Sequence, residues 1–341
     1  MRQVGRLGWV AFMVGALLVG PSGTAVADQE APGIGWQTSA AVGGDGSGTV
    51  SEAEAYWTPE RIASARDVKV AKSAEHPARS GAPAPHGVNT LGPQAVAEAA
   101  ASSGDTVDNE PDRPLIRTVG KVLYQNPDDN LNYACSGSAV NSPSKMMVIT
   151  AAHCVVKGGS GAGNNKPTEM KNWIFIPAFN TGGVEAPYGK FAKTSYRAWS
   201  MWTGGKSWEY DYAFVTVSRN TQGKTLVDAV GGNALGYNYG YNQSMRMVGY
   251  PSNFNAGDIQ DHFIGVTKRS IRNANMLMME KSYFNEGSSG GPWFRTYDPV
   301  TKTGMINGVT SVIHEGSSGN NESPRFNELL KKLYDIQGPV V

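Results

Sequence analysis

The sequence predicts an all-β domain that begins near residue 113 and ends on one amphipathic helix, after a leader that is largely flexible. Three observations carry this. The 42 glycines and 19 prolines among 341 residues supply turns in abundance. Short apolar runs recur between those turns, at Val119–Tyr124, Ala134–Val140, Met146–Thr150, Trp173–Pro177, Tyr212–Val217, Met245–Tyr250, His262–Lys268 and Met305–Val312. Helical periodicity is scarce until Pro324, after which Phe326, Leu329, Leu330, Leu333 and Ile336 recur at three- and four-residue spacing.

Composition changes near residue 112. From Asp28 the chain is rich in Ala, Gly, Ser and Pro, and no aromatic residue occurs from Thr58 through Leu123. Such a segment buries too little apolar surface to offset its ordering entropy. Residues 28–112 therefore read as a propeptide, with a retained disordered stalk as the alternative, and Ala82-Pro83-Ala84-Pro85 reads as a linker. One island differs. In Tyr56-Trp57-Thr58-Pro59-Glu60-Arg61-Ile62, Thr58 is placed to cap a short helix with Pro59 at its first position, and that island is suited to dock on the domain that follows. At the start, Arg2 and Arg6 precede an apolar stretch from Leu7 to Gly20, and Ala25-Val26-Ala27 has the small-residue pattern of a signal-peptidase site. A run of about 14 residues falls short of the roughly 20 that span a bilayer. Residues 1–27 are read as a signal peptide, and the mature protein as secreted and soluble.

A formal net charge of +1 gives no electrostatic reason to expect nucleic acid or an anionic membrane as partner. The two cysteines, Cys135 and Cys154, are even in number, and export favours a disulfide between them. A metal pair or a catalytic thiol are the competing readings, and two thiolates alone make a poor zinc site.

Three motifs bear chemistry. Gly287-Ser288-Ser289-Gly290-Gly291-Pro292 has the glycines that a tight turn needs to expose a serine hydroxyl and aim backbone N–H groups at a forming oxyanion, although Gly-Ser runs also occur in linkers. Val148-Ile149-Thr150-Ala151-Ala152-His153-Cys154 is an apolar strand running into a histidine, a structural residue or a base that Cys154 could anchor. Tyr210-Asp211-Tyr212 puts an acid at the head of an apolar strand. That acid is either a turn aspartate in water or a buried carboxylate in need of a partner.

Together these motifs resemble the chymotrypsin-fold serine peptidases, in the pieces Thr150 to Cys154, Asp211 to Ala213 and Gly287 to Pro292, and in the chain order His, Asp, Ser. The likeness runs from about Arg117 to the C-terminus and is similar to the secreted bacterial trypsin-like and glutamyl-endopeptidase-like branch. It implies two antiparallel β-barrels over residues 113–341, with Ser289 as nucleophile, His153 as base, Asp211 as the group that orients it, and the Gly287 and Ser289 N–H groups as oxyanion donors. It implies a protein or peptide substrate and no metal or organic cofactor. Cys135-Ser136-Gly137 resembles the family strand whose cysteine pairs with the one beside the histidine. Thr310-Ser311-Val312 is expected to form the edge that pairs with an extended substrate.

The sequence departs from the family at named places. Ser288 stands where the animal enzymes carry the aspartate that meets the freed N-terminus, so the leader is expected to control activity differently, by blocking the site until it is cut. Tyr283 stands where trypsin-like enzymes carry their specificity aspartate, and Thr310 where glutamyl endopeptidases carry a histidine, with His314 nearby. No preference for basic or acidic residues transfers. Met276, Met278 and Met279 read as core residues, and so, ahead of a groove, do Trp199, Trp202 and Trp208. His76 and His86 read as solvated leader residues. A peptidase homologue that serves only as a binding module, and an esterase on the same triad, are the alternatives to a secreted serine endopeptidase.

Overall fold

Six strands of the first half close into a ring. Val119–Gln125 pairs with Asn132–Val140, which pairs with Met147–Thr150, then Ala213–Val217, Phe191–Trp199 and Lys171–Pro177, which returns to Val119–Gln125; every pairing is antiparallel. Alternate residues of these strands face two different cores. Val122, Cys135, Val148, Trp173, Phe175 and Val215 fill one buried cluster, while Leu123, Ile149, Ile174, Ile176 and Phe214 belong to another. With both faces covered, all of these strands but Phe191–Trp199 read as mainly apolar runs, the signal that made them visible in the sequence.

The computed structural model describes residues 36–38, 47–67, 89–91, 106–107, 115–158, 168–183, 185–314 and 318–341. The signal-peptide reading of residues 1–27, the linker at Ala82–Pro85, His76 and His86 lie outside them. No described helix is long and apolar enough to cross a membrane.

The second half is a pair of sheets joined by a shared strand. Ala234–Tyr237, Thr303–Val309, Pro292–Asp298, Ser244–Gly249 and Asp261–Val266 form the first, in which Ala234–Tyr237 runs parallel to its neighbour. The last of these strands continues past Thr267 into Lys268–Arg269, which opens the second sheet with Met276–Met279, Asn320–Pro324 and Val312–His314. Met245, Met247, Phe263, Leu277, Met279, Phe284 and Trp293 fill the space between. Met276, Met278 and Met279 are all buried.

The C-terminal helix spans Glu328–Gln337, capped by Asn327, whose side chain accepts from Leu329 N. It braces the first barrel: Tyr334 meets Phe214 edge-on, and Gln337 Nε2 donates to Ser195 Oγ at 3.0 Å and Thr216 Oγ1 at 2.7 Å. Strands that the apolar pattern did not announce have partners of this kind. Phe191–Trp199 is interrupted by Lys193, Thr194, Ser195 and Arg197, yet Ser195 is satisfied by Gln337. Asn320–Pro324 has no apolar side chain but proline, and Asn321 is buried because its amide donates to Phe284 O and its oxygen accepts from Ser282 Oγ.

The leader contributes more described structure than its composition led us to expect. Trp36–Thr38 pairs with Phe191–Trp199, and Arg66–Asp67 pairs with Asn132–Val140, both in the first barrel. Asn89–Leu91 and Thr106–Val107 pair with strands of the second half. Helices span Ser47–Tyr56 and Pro59–Ala63, the second starting at the expected proline, with Thr58 Oγ1 accepting from Arg61 N.

Asp261, 3% exposed, offers a test of the second half. Burial pushes its carboxyl from the ordinary 3.8 up to about 6, opposed by hydrogen bonds from Asn255. A raised value means that the folded chain holds this proton more tightly, so its stabilising effect is complete below pH 3.8 and is lost as pH rises through about 6. Asp261→Asn is expected to raise stability by about 1–2 kcal/mol at pH 7.5, and by nothing measurable near pH 3.5, as read from thermal melts at the two pH values.

Candidate active site

Asp211 is fully buried at the head of strand Ala213–Val217 and accepts three hydrogen bonds. Two come from the short turn Ala152–Cys154, where His153 N lies 2.8 Å from Oδ1 and His153 Nδ1 lies 2.7 Å from Oδ2. The third comes from Ser311 Oγ at 2.6 Å. The contact through Nδ1 fixes the orientation of the imidazole and leaves Nε2 as the ring nitrogen that Asp211 does not engage. Of the turn-aspartate and buried-carboxylate readings of Asp211, the structure has the second.

The histidine turn is fastened from behind. Cys154 is bonded to Cys135 with a Cα–Cα distance of 6.3 Å, and its carbonyl accepts from Trp173 Nε1 at 3.0 Å. Sulfur atoms joined in a disulfide offer no thiolate, so the cluster of Cys135, Cys154 and His153 lacks the donors a zinc ion takes. Trp202 and Trp208 lie together on one side of the imidazole, with ring centroids 6.3 and 6.4 Å from it and 5.3 Å from each other. Trp199 and Trp202 are buried packing residues whose indoles donate to Tyr212 and Val156, whereas Trp208 is half-buried beside His153.

Ser289 sits on a turn tied to the first barrel at several points. Ser136 N donates to Ser289 O at 2.7 Å, Ser136 Oγ donates to Gly287 O at 2.8 Å, and Thr150 Oγ1 donates to Ser136 O at 2.7 Å. Gly287 and Gly290 have φ of 87° and 79°, where side chains are strained, and a Cβ on Gly290 would collide with Thr150 Oγ1 and the Ser136 carbonyl. The Glu286 carbonyl is taken by Ser252 N at 2.9 Å. The peptide is trans, so the Gly287 N–H points the opposite way. Neither that N–H nor that of Ser289 donates to any described residue. Ser288 Oγ donates to Asn285 O at 2.7 Å, a neutral bond at the place where the animal enzymes use an ion pair.

Ser289 Oγ and His153 Nε2 are both buried, and neither has a hydrogen-bonding partner. No hydrogen bond is therefore closed between Ser289 Oγ and His153 Nε2 in this geometry. Cys154 Sγ lies 3.8 Å from the Ser289 carbonyl, which puts the two turns side by side.

Thr310, Ser311 and Val312 divide their roles. Thr310 spends both backbone groups on the nucleophile turn, accepting from Gly290 N and donating to Gly291 O, and its Oγ1 accepts from Trp293 Nε1. Ser311 turns its hydroxyl to Asp211. Val312 starts an edge strand, Val312–His314, which has a single neighbour in its sheet. His314 lies between Arg272 and Glu322, 3.0 Å from the Glu322 carboxylate. Tyr283 is 41% exposed and holds a positive φ of 56°.

Comparison with known proteins agrees with this geometry. The family model described as Trypsin matches residues 115–334, more than half of the chain. The chain belongs to the trypsin family. No curated protein matches it. Among solved structures, this trypsin-family chain is similar to the protease Anisep from Arthrobacter nicotinovorans, at 26% identity and a TM-score of 0.58, covering 69% of this chain and 99% of that one. It is also similar in fold to the thermostable serine protease AL20 from an extremophilic microorganism, at 23% identity and a TM-score of 0.59, covering 66% and 98%. A Glu endopeptidase shares the fold at 15% identity and a TM-score of 0.51, covering 70% and 97%.

One contact escaped sequence reasoning altogether. Asn253 Nδ2 donates to Tyr283 O at 2.8 Å and its Oδ1 accepts from Asn285 N at 3.0 Å, clamping the loop that leads into Gly287. An asparagine in a turn gives no signal of such a distant role. Asn253→Ala is expected to lower kcat roughly ten-fold with KM little changed, a fraction of what losing an oxyanion donor costs. Steady-state kinetics on a peptide substrate check it, and an equal loss in KM would place Asn253 in substrate binding instead.

Proposed function

We propose that this protein is a secreted serine endopeptidase that cleaves peptide bonds through Ser289, His153 and Asp211. The observation that carries the reading is the buried Asp211–His153 pair, joined through Nδ1 and set beside a serine on a positive-φ glycine turn. Ser289 Oγ attacks the substrate carbonyl as His153 Nε2 takes its proton. The oxyanion that forms is received by the Gly287 and Ser289 N–H groups, and His153 returns the proton to the leaving amine. Water then hydrolyses the acyl-enzyme by the same steps in reverse. Asp211 stabilises the imidazolium, and the edge strand Val312–His314 offers backbone groups to an extended substrate.

The decisive experiment is labelling of secreted, matured protein with a fluorophosphonate and mapping of the adduct by mass spectrometry. Labelling is expected on Ser289 alone and is expected to vanish in Ser289→Ala and to fall at least a thousand-fold in rate in His153→Ala. The unclosed bond between Ser289 and His153 favours one second reading, a peptidase homologue that binds without cutting. Folded, mature protein that takes no label would establish that reading.

Cleavage of residues 28–112 from the peptidase domain, as an inhibitory propeptide, belongs to the same proposal. It predicts that the purified full-length precursor cleaves a fluorogenic peptide at least ten-fold more slowly than the matured protein. Equal rates would make the leader a retained stalk.

A further inference from the structure

We propose that the leader residues Ser47–Asp67 are a clip that remains seated on the first barrel after the chain behind them is cut, through a receptor built into that barrel. The clip presents a preorganised aromatic pair. Tyr56 and Trp57 meet edge-on at 5.3 Å, and Arg61, from the helix that Thr58 caps, lies 4.2 Å over the Tyr56 ring and donates to the Tyr56 carbonyl. Trp57 is 2% exposed and Ile62 5%, and both belong to the buried cluster that contains Leu123, Ala134, Ile174 and Ile176.

The barrel carries matching features. At Asn172 the register between Lys171–Pro177 and Val119–Gln125 slips, and Asn172 adopts a φ of 49°, which asparagine tolerates better than most residues. The carbonyl of that bulge accepts the Trp57 indole N–H at 2.5 Å, and the Asn172 side chain is held by Gln125 at 3.1 Å. Lys190 Nζ donates to the Trp57 carbonyl at 2.9 Å, and Asn132 Oδ1 accepts from the Tyr56 hydroxyl at 2.8 Å. Bulge, lysine and asparagine thus meet the polar groups of a two-residue aromatic anchor while the strands around them bury its rings. Trp173, the next residue, points to the other core, where its indole holds the Cys154 carbonyl of the histidine turn. The anchor therefore sits on the opposite face of that strand from the catalytic turn.

The bonds of Tyr56 and Trp57 to Asn132, Asn172 and Lys190, and the packing of Trp57 and Ile62, all join residues 56–62 to the barrel strands and the Lys190 segment. None runs through residues 68–88, so a break there leaves all of them in place. Aromatic anchors in closed pockets carry most of the affinity of an interface, and truncating a buried tryptophan removes about a hundred-fold or more of it. The partner that this surface fits is therefore the leader's own Tyr-Trp-Thr-Pro-Glu-Arg segment, retained without a covalent link. The inference does not depend on catalysis.

The test uses the full chain in a Ser289→Ala background, with a recognition site for an unrelated protease inserted between residues 68 and 88. After cutting, the N-terminal fragment is expected to co-elute with the rest of the chain in gel filtration at micromolar concentration. In Trp57→Ala it is expected to separate, with affinity lower by about a hundred-fold, and Trp57→Phe, which keeps an aromatic ring but loses the indole N–H, is expected to bind about two- to ten-fold more weakly. Release of the unmutated fragment on cutting would overturn the proposal. So would a Trp57→Phe fragment, and a folded Trp57→Ala fragment, held as tightly as the parent.

Discussion

Everything at the site depends on a carboxylate taken out of water. A buried Asp211 without partners would cost several kcal/mol, and the fold meets that cost with donors from both of its halves. The strand Met147–Thr150 delivers His153, whose backbone and ring both donate, and the segment after Thr303–Val309 delivers Ser311. The same bonds that make burial tolerable fix the imidazole's orientation. Stability therefore imposes this geometry on the imidazole, and a chain that satisfied Asp211 in another way would leave His153 unplaced.

The Ser289 turn is held by a different device, a set of neutral bonds: Ser136 to both Gly287 and Ser289, Ser252 to the Glu286 carbonyl, Ser288 to Asn285, and Asn253 across Tyr283 and Asn285. Such a network needs no newly freed amine to assemble it. The described leader residues divide between the halves, with Trp36–Thr38 and Arg66–Asp67 on strands of the first barrel and Asn89–Leu91 and Thr106–Val107 on strands of the second half.

Much of the site was legible in the order of residues along the chain. Apolar runs marked the strands buried on both faces, the glycines of Gly287 to Pro292 marked a tight turn, and Cys135 and Cys154 marked a tie beside His153. Each of these is local: a turn needs its glycine and a strand its apolar residues wherever they end up. The strand Phe191–Trp199 was not legible, because its polar residues are made tolerable by a glutamine more than a hundred positions away. Asn320–Pro324 was hidden for the same reason.

By itself the sequence determined the all-β class, the terminal helix, the capped start of Pro59–Ala63 and the three residues brought forward as a triad. Only the tertiary structure decided which hydroxyl serves the carboxylate, that Thr310 spends its backbone on the nucleophile turn, and that Trp57 is buried in the first barrel. The physical reason is one of range. Backbone preference and hydrophobic period are written within a few neighbouring residues, whereas the partner of a buried polar group is chosen by whatever the fold brings within 3 Å of it.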